Sequence, residues 1–221
     1  MATRFYLPYH GTSPLPSLAH TSFEVESANF FRAPTTTTRS GTPITQVQGT
    51  FPDATSQWQI AGQWVSPPLA AAYSFTTSDT RTIAVRCYES NLAIDASLAN
   101  KVYVVSGDGS VDRGSIFSAY SGTEWTTAAE LRYLGPSALY ARNALIGDRI
   151  VIELGARGLT PDFVNPWALW FGDPNDATPD FGPGDTAGEN YVPWLELSPT
   201  LSFEEADTWK GITVNRELLA T

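Results

Sequence analysis

Cysteine is nearly absent: Cys87 stands alone among 221 residues. No disulfide can form within the chain, and no zinc site built on several thiolates is available. A lone cysteine on a strand reads as a small buried hydrophobe. Histidine is almost as scarce, with only His10 and His20, both in a proline-rich stretch. A nucleophile paired with an imidazole base is therefore poorly supplied, and neither a G-x-S-x-G elbow nor a P-loop occurs. A carboxylate pair would draw on Glu89, Asp95, Glu130 and Glu153, but no spacing rule selects such a pair across a β fold. The chain reads as non-enzymatic. No apolar run approaches the roughly 18–20 residues of a transmembrane helix, and the opening lacks the apolar block of a secretory signal. Synthesis in a cytoplasm without membrane insertion is expected.

Charge is also sparse, at 16% of residues, against the usual quarter. The formal net charge is −10, and −9 of it lies in residues 158–221, where Lys210 and Arg216 stand against eleven acids. Such a surface repels phosphate backbones, which disfavours nucleic acid as a partner.

What the chain has in quantity is punctuation and apolar surface. Its 17 Gly and 16 Pro are spread along the whole length, and 42% of residues are hydrophobic. Long helices are interrupted too often to form, whereas short strands joined by turns fit well. In Thr82–Glu89, Ile83, Val85 and Cys87 fall on one face and Arg86 and Tyr88 on the other, the period of a half-buried strand. Lys101–Val105 repeats the pattern, runs into Ser106-Gly107-Asp108-Gly109-Ser110, and returns as Gly114–Phe117, a hairpin turned by Asp-Gly. Arg149–Leu154 points Ile150, Ile152 and Leu154 inward between Gly147-Asp148 and Gly155. Residues 124–146 admit either a short helix over Ala128–Leu134, stopped by Gly135-Pro136, or strands; strands are favoured. The expected fold is all-β, an antiparallel jelly-roll-like sandwich with extended N- and C-terminal arms.

The expected organisation is an N-terminal arm and wrapping segment over 1–57, a sandwich body over 58–203 and a tail over 204–221. Pro8, Pro14, Pro16, Pro34, Pro43 and Pro52 interrupt regular pairing in the first part. Phe5, Tyr6 and Leu7 are nevertheless too apolar for a free linker, as are Trp209, Ile212 and Val214 in the tail. These six residues are the candidate partner contacts, with packing of the first three onto the chain's own sandwich the favoured reading of their burial.

Five blocks carry a further signal: Met1-Ala2-Thr3-Arg4-Phe5-Tyr6-Leu7-Pro8, Gly62–Leu69, Val104–Gly109, Gly147–Gly155 and Pro193–Ser198. In this order they resemble a group of structural proteins of tailed bacteriophages and prophages, over most of residues 1–203. The resemblance implies a virion component of the tail, baseplate or head surface with a jelly-roll-like fold. It implies no catalytic residues. The implied partners are other virion proteins and copies of the chain itself, in a virion assembled from the host cytoplasm.

Two candidate sites remain. Asp173, Asn175, Asp176 and Asp180 offer hard oxygen ligands within one loop, the set Ca²⁺ prefers, although the EF-hand order is missing and a solvated acidic loop is the favoured reading. Otherwise no cofactor is expected. Trp167 and Trp170 alternate along one strand, so one of them should face outward, against a subunit or a host-surface glycan.

Overall fold

The computed structural model describes residues 2–16, 18, 23, 25–51, 57–158, 162–175, 177–185 and 191–204. One six-stranded sheet comprises β1 (Thr3–Tyr6), β3 (Thr45–Phe51), β6 (Thr80–Glu89), β9 (Glu130–Ala138), β12 (Asp162–Phe171) and β13 (Trp194–Leu197). β6 is its spine. β9 lies along one edge of β6, while β12 pairs with Arg86–Glu89 and β13 with Arg81–Ala84 on the other. The five-stranded sheet opposite runs in the order β2 (Val25–Pro34), β4 (Gln57–Val65), β11 (Arg149–Gly158), β7 (Ser97–Val105), β8 (Asp112–Tyr120). A short pair, β5 (Tyr73–Phe75) with β10 (Arg142–Ala144), closes one flank. Every pairing is antiparallel except β2 with β4, whose crossover is supplied by β3 in the other sheet. The fold is an all-β sandwich.

The core is made by the alternation visible in the sequence. Ile83, Val85 and Cys87 of β6 face Ile150, Ile152 and Leu154 of β11, Val102 and Val104 of β7 and Trp64 of β4, all fully buried. The Lys101–Val105 hairpin forms with Val104 opposite Gly114 and Val102 opposite Phe117. Gly109 takes a φ of +77° in its turn, where glycine avoids the Cβ clash of other residues. Arg81 is a polar residue on this inner face. Its Nη2 donates to Asn100 Oδ1 (2.7 Å), its Nη1 donates to the Leu134 carbonyl (3.0 Å), and its guanidinium lies 3.9 Å over the Phe117 ring.

Two expectations are corrected and one is borne out. The first 57 residues are not an arm, because they supply β1, β2 and β3 to both sheets. Phe5 and Leu7 are fully buried in the main core, and β1 pairs residue by residue with β13 from Thr3↔Leu197 to Tyr6↔Trp194. Pro8, Pro14, Pro16 and Pro43 fall between strands and Pro34 at a strand's last residue, so they punctuate the sheets without preventing them. The division expected at residue 57 therefore cuts through one sandwich. Second, β11 is buried on both faces. Leu15 and Leu18 lie across its outer side against Val65, Tyr103, Val105 and Val151, where period-2 reasoning left that face to solvent. Third, β9 runs straight through Gly135-Pro136, with a register shift opposite Arg81/Ile83. The strands favoured for residues 124–146 are thus formed here, and the dipeptide ends no helix.

Candidate functional site

The site with the most concentrated chemistry lies where β6, β8 and β11 end and β7 begins. Beyond Glu89 the chain makes a single 3₁₀ turn, Leu92–Ile94, capped by Asn91, whose side chain accepts from Ala93 N–H at 3.0 Å. Asp95 follows in the left-handed region at φ 52°, ψ 43°, a conformation an Asp side chain tolerates better than most. That reversal brings Ala96 N–H onto Glu89 Oε2 at 2.8 Å and starts β7. The segment after β8 crosses over it: Ser121 N–H bonds the Leu98 carbonyl (2.8 Å) and Trp125 N–H the Ala96 carbonyl (2.8 Å). A groove of about 380 Å³ results, lined by Asp95, Ser97, Tyr120, Ser121, Glu124 and Arg157 among others.

Tyr120 is the aromatic of this groove, 44% exposed. The Arg157 guanidinium lies 3.9 Å from its ring centroid, and Trp58 meets it near-perpendicularly at 5.5 Å. Behind the groove Glu89 is fully buried. Burial pushes its carboxyl up to about 7, with Glu124 and Asp95 adding to the rise and the Ala96 N–H opposing it. The Glu89 and Glu124 carboxyls are hydrogen-bonded to each other. The arrangement offers carboxylate acceptors, one guanidinium and one fixed ring.

Of the four carboxylates noted in the sequence, only Glu89 and Asp95 come together here. Glu130 accepts from Thr126 N–H (3.0 Å) and pairs with Arg132 (2.6 Å). Glu153 lies buried under the outer face of the second sheet, accepting from Gln63 Nε2 (2.7 Å) and Tyr103 Oη (2.8 Å). Tyr120, Glu124 and Arg157 escaped sequence reasoning, because nothing in their spacing links the ends of β8 and β11 to the β6–β7 turn.

The acidic loop is built for anchoring. Asp173 is fully buried and accepts from Ser40 N–H (2.7 Å), Ser40 Oγ (2.8 Å), Thr42 N–H (3.2 Å) and Thr42 Oγ1 (2.5 Å). Asp180 pairs with Arg4 (2.8 Å) and Arg39 (2.5 Å) and accepts from Tyr6 Oη (3.0 Å). Asn175 lies against Gly41, and Asp176 falls outside the described residues. The Asp173 and Asp180 oxygens are thus turned onto protein donors, and among the described residues no three acidic, His or Cys side chains converge as metal ligands. Trp167 is fully buried, which corrects its expected role as a surface contact. Trp170 lies on the outer side but is covered by Arg86, 4.6 Å over its ring, and by Tyr88 at 5.8 Å. Phe5 and Leu7 face the chain's own core, while Tyr6 lies partly exposed at the sheet edge beneath Arg39. Trp209, Ile212 and Val214 lie outside the described residues.

No protein family matches the sequence, and no curated protein matches it. Among solved structures, an α-amino acid ester hydrolase labelled with selenomethionine is similar over 89% of this chain and 36% of its own, at 10% identity and a TM-score of 0.43. A structure of the infectious bursal disease virus Gx strain is similar over 71% of this chain and 36% of its own, at 11% identity and a TM-score of 0.23. A mutant VP2 protein of that virus, in derived T=1 particles, is similar over 77% and 42%, at 10% identity and a TM-score of 0.20. The chain thus spans well under half of each of these proteins. The weakly similar structures include proteins of a virus particle; at these scores they fix neither activity nor partners.

Proposed function

We propose that the chain is a non-enzymatic structural subunit of a tailed-phage virion, held on the tail, baseplate or head surface by packing against copies of itself and other virion proteins. The supporting observation is an apolar tip at one end of the sandwich, opposite the groove. Val111, Leu145 and Ile146 are 46%, 49% and 67% exposed. They belong to two adjoining turns. Arg149 Nε donates to the Gly107 carbonyl (2.9 Å), and Arg113 pairs with Asp148 (2.9 Å). A rigid frame of polar bonds thereby presents three large aliphatic side chains to solvent, which is what an interface centre needs. Repeated identical contacts of this kind build closed symmetric assemblies. The resemblance of the five sequence blocks to phage structural proteins points the same way. The test replaces both Leu145 and Ile146 by Asp and follows incorporation into particles by mass spectrometry of dissected heads and tails. A folded variant absent from particles is expected; normal incorporation would remove the role assigned to the tip.

A further inference from the structure

We infer that the groove at the opposite end of the sandwich binds a neutral saccharide. This goes beyond subunit packing and does not depend on it: along β7 the groove and the apolar tip are separated by roughly 25 Å at 3.3 Å per residue.

The groove presents what a polyhydroxylated ligand requires. Tyr120 offers a ring for sugar C–H groups, and that ring is held in place before any ligand arrives, by Arg157 at 3.9 Å and Trp58 at 5.5 Å. Pre-organised aromatic surface binds without an ordering penalty. Asp95 and Glu124 line the same trough and accept hydrogen bonds from hydroxyls, which a carboxylate can do from two at once. Arg157 supplies the complementary donor. Its guanidinium makes no ion pair among the described residues, and its Nε is buried without an acceptor.

A second observation lies behind the lining. Glu89 is fully buried behind the groove wall, with Oε2 used by Ala96 N–H and its carboxyl hydrogen-bonded to Glu124. That buried partner fixes the Glu124 carboxylate at the groove wall, where ligand hydroxyls donate to it. Carboxyls outnumber the single guanidinium, so anionic glycans are repelled. A divalent cation lacks a converging ligand set among the described residues. A neutral, hydroxyl-rich ligand meets all of these conditions.

The experiment screens the full chain on an array of neutral hexose and N-acetylhexosamine oligosaccharides alongside uronate and phosphate-bearing glycans. The best neutral oligosaccharide is then titrated by calorimetry with and without EDTA. Saturable, EDTA-insensitive binding is expected, weakened about tenfold or more by Tyr120→Ala and by Glu124→Gln, the loss of one good contact each. Glu124 is exposed, so its Gln variant separates ligand contact from folding, which melting curves report for both proteins. The inference is overturned by failure to bind any neutral oligosaccharide, by binding undiminished in both variants, by binding that EDTA abolishes, or by preference for the anionic glycans. Particle incorporation of the groove variants, read separately, is expected to be normal, so failure here leaves the packing role standing and the reverse also holds.

Discussion

Trp167 Nε1 donates to Gln59 Oε1 at 2.9 Å, tying a buried indole of the six-stranded sheet to a side chain of the five-stranded one through the sandwich interior. The contact is possible because Gly49 leaves room: a Cβ there would lie 2.1 Å from Gln59 Oε1 and 2.5 Å from the Trp167 ring. Gln59→Leu strands the indole N–H in an apolar core and is expected to cost ~1–3 kcal/mol in urea denaturation. Gly49→Ala should destabilise as well by forcing the pair apart. Unchanged midpoints in both would show that this bond contributes nothing.

Glu89 predicts how stability depends on pH. Its folded value of about 7 lies above the ordinary 4.5, so the folded state holds a proton that the unfolded state releases first. The contribution is full below about 4.5 and is lost as pH rises through 7. Glu89→Gln keeps an acceptor for Ala96 N–H and a permanent donor toward Glu124. The variant is expected to gain on wild type by ~1–3 kcal/mol between about pH 5 and pH 8. Parallel stability profiles for the two proteins would refute the buried carboxyl pair.

Deleting residues 1–8 should prevent stable folding. Phe5 and Leu7 are fully buried, each contributing ~1.5–3 kcal/mol, and β1 also covers the edge of β13. Together these rival the whole stability of a typical domain, ~5–15 kcal/mol. Near-UV circular dichroism and thermal melting decide it; a cooperatively folded truncation would return these residues to the role of an arm.

Asp173→Asn should cost ~1.5–3 kcal/mol, because an amide cannot accept all the Ser40 and Thr42 hydrogen bonds that the carboxylate does. With those oxygens occupied, added Ca²⁺ or EDTA is expected to leave the melting temperature unchanged. A rise with Ca²⁺ that disappears in Asp173→Asn would instead make this loop a metal site.

The sequence by itself determined the class of fold and the inner face of its central strands. Ile83, Val85 and Cys87, like Ile150, Ile152 and Leu154, alternate with a period that only a strand satisfies, and the Asp-Gly turn after Val105 set the hairpin with β8. These are local effects, acting between neighbours along the chain. Tertiary structure decided everything that depends on what covers a face. Val151 became core because Leu15 and Leu18 lie over it, and Phe5 and Leu7 because β13 offered an unpaired edge. Trp167 went inward because Gln59 met its indole N–H there. The groove is the extreme case: Glu89, Asp95, Tyr120, Glu124 and Arg157 come from three separate parts of the chain. Burial rewards any partner that fills the space, whatever its distance in sequence, so no local pattern could have named that set.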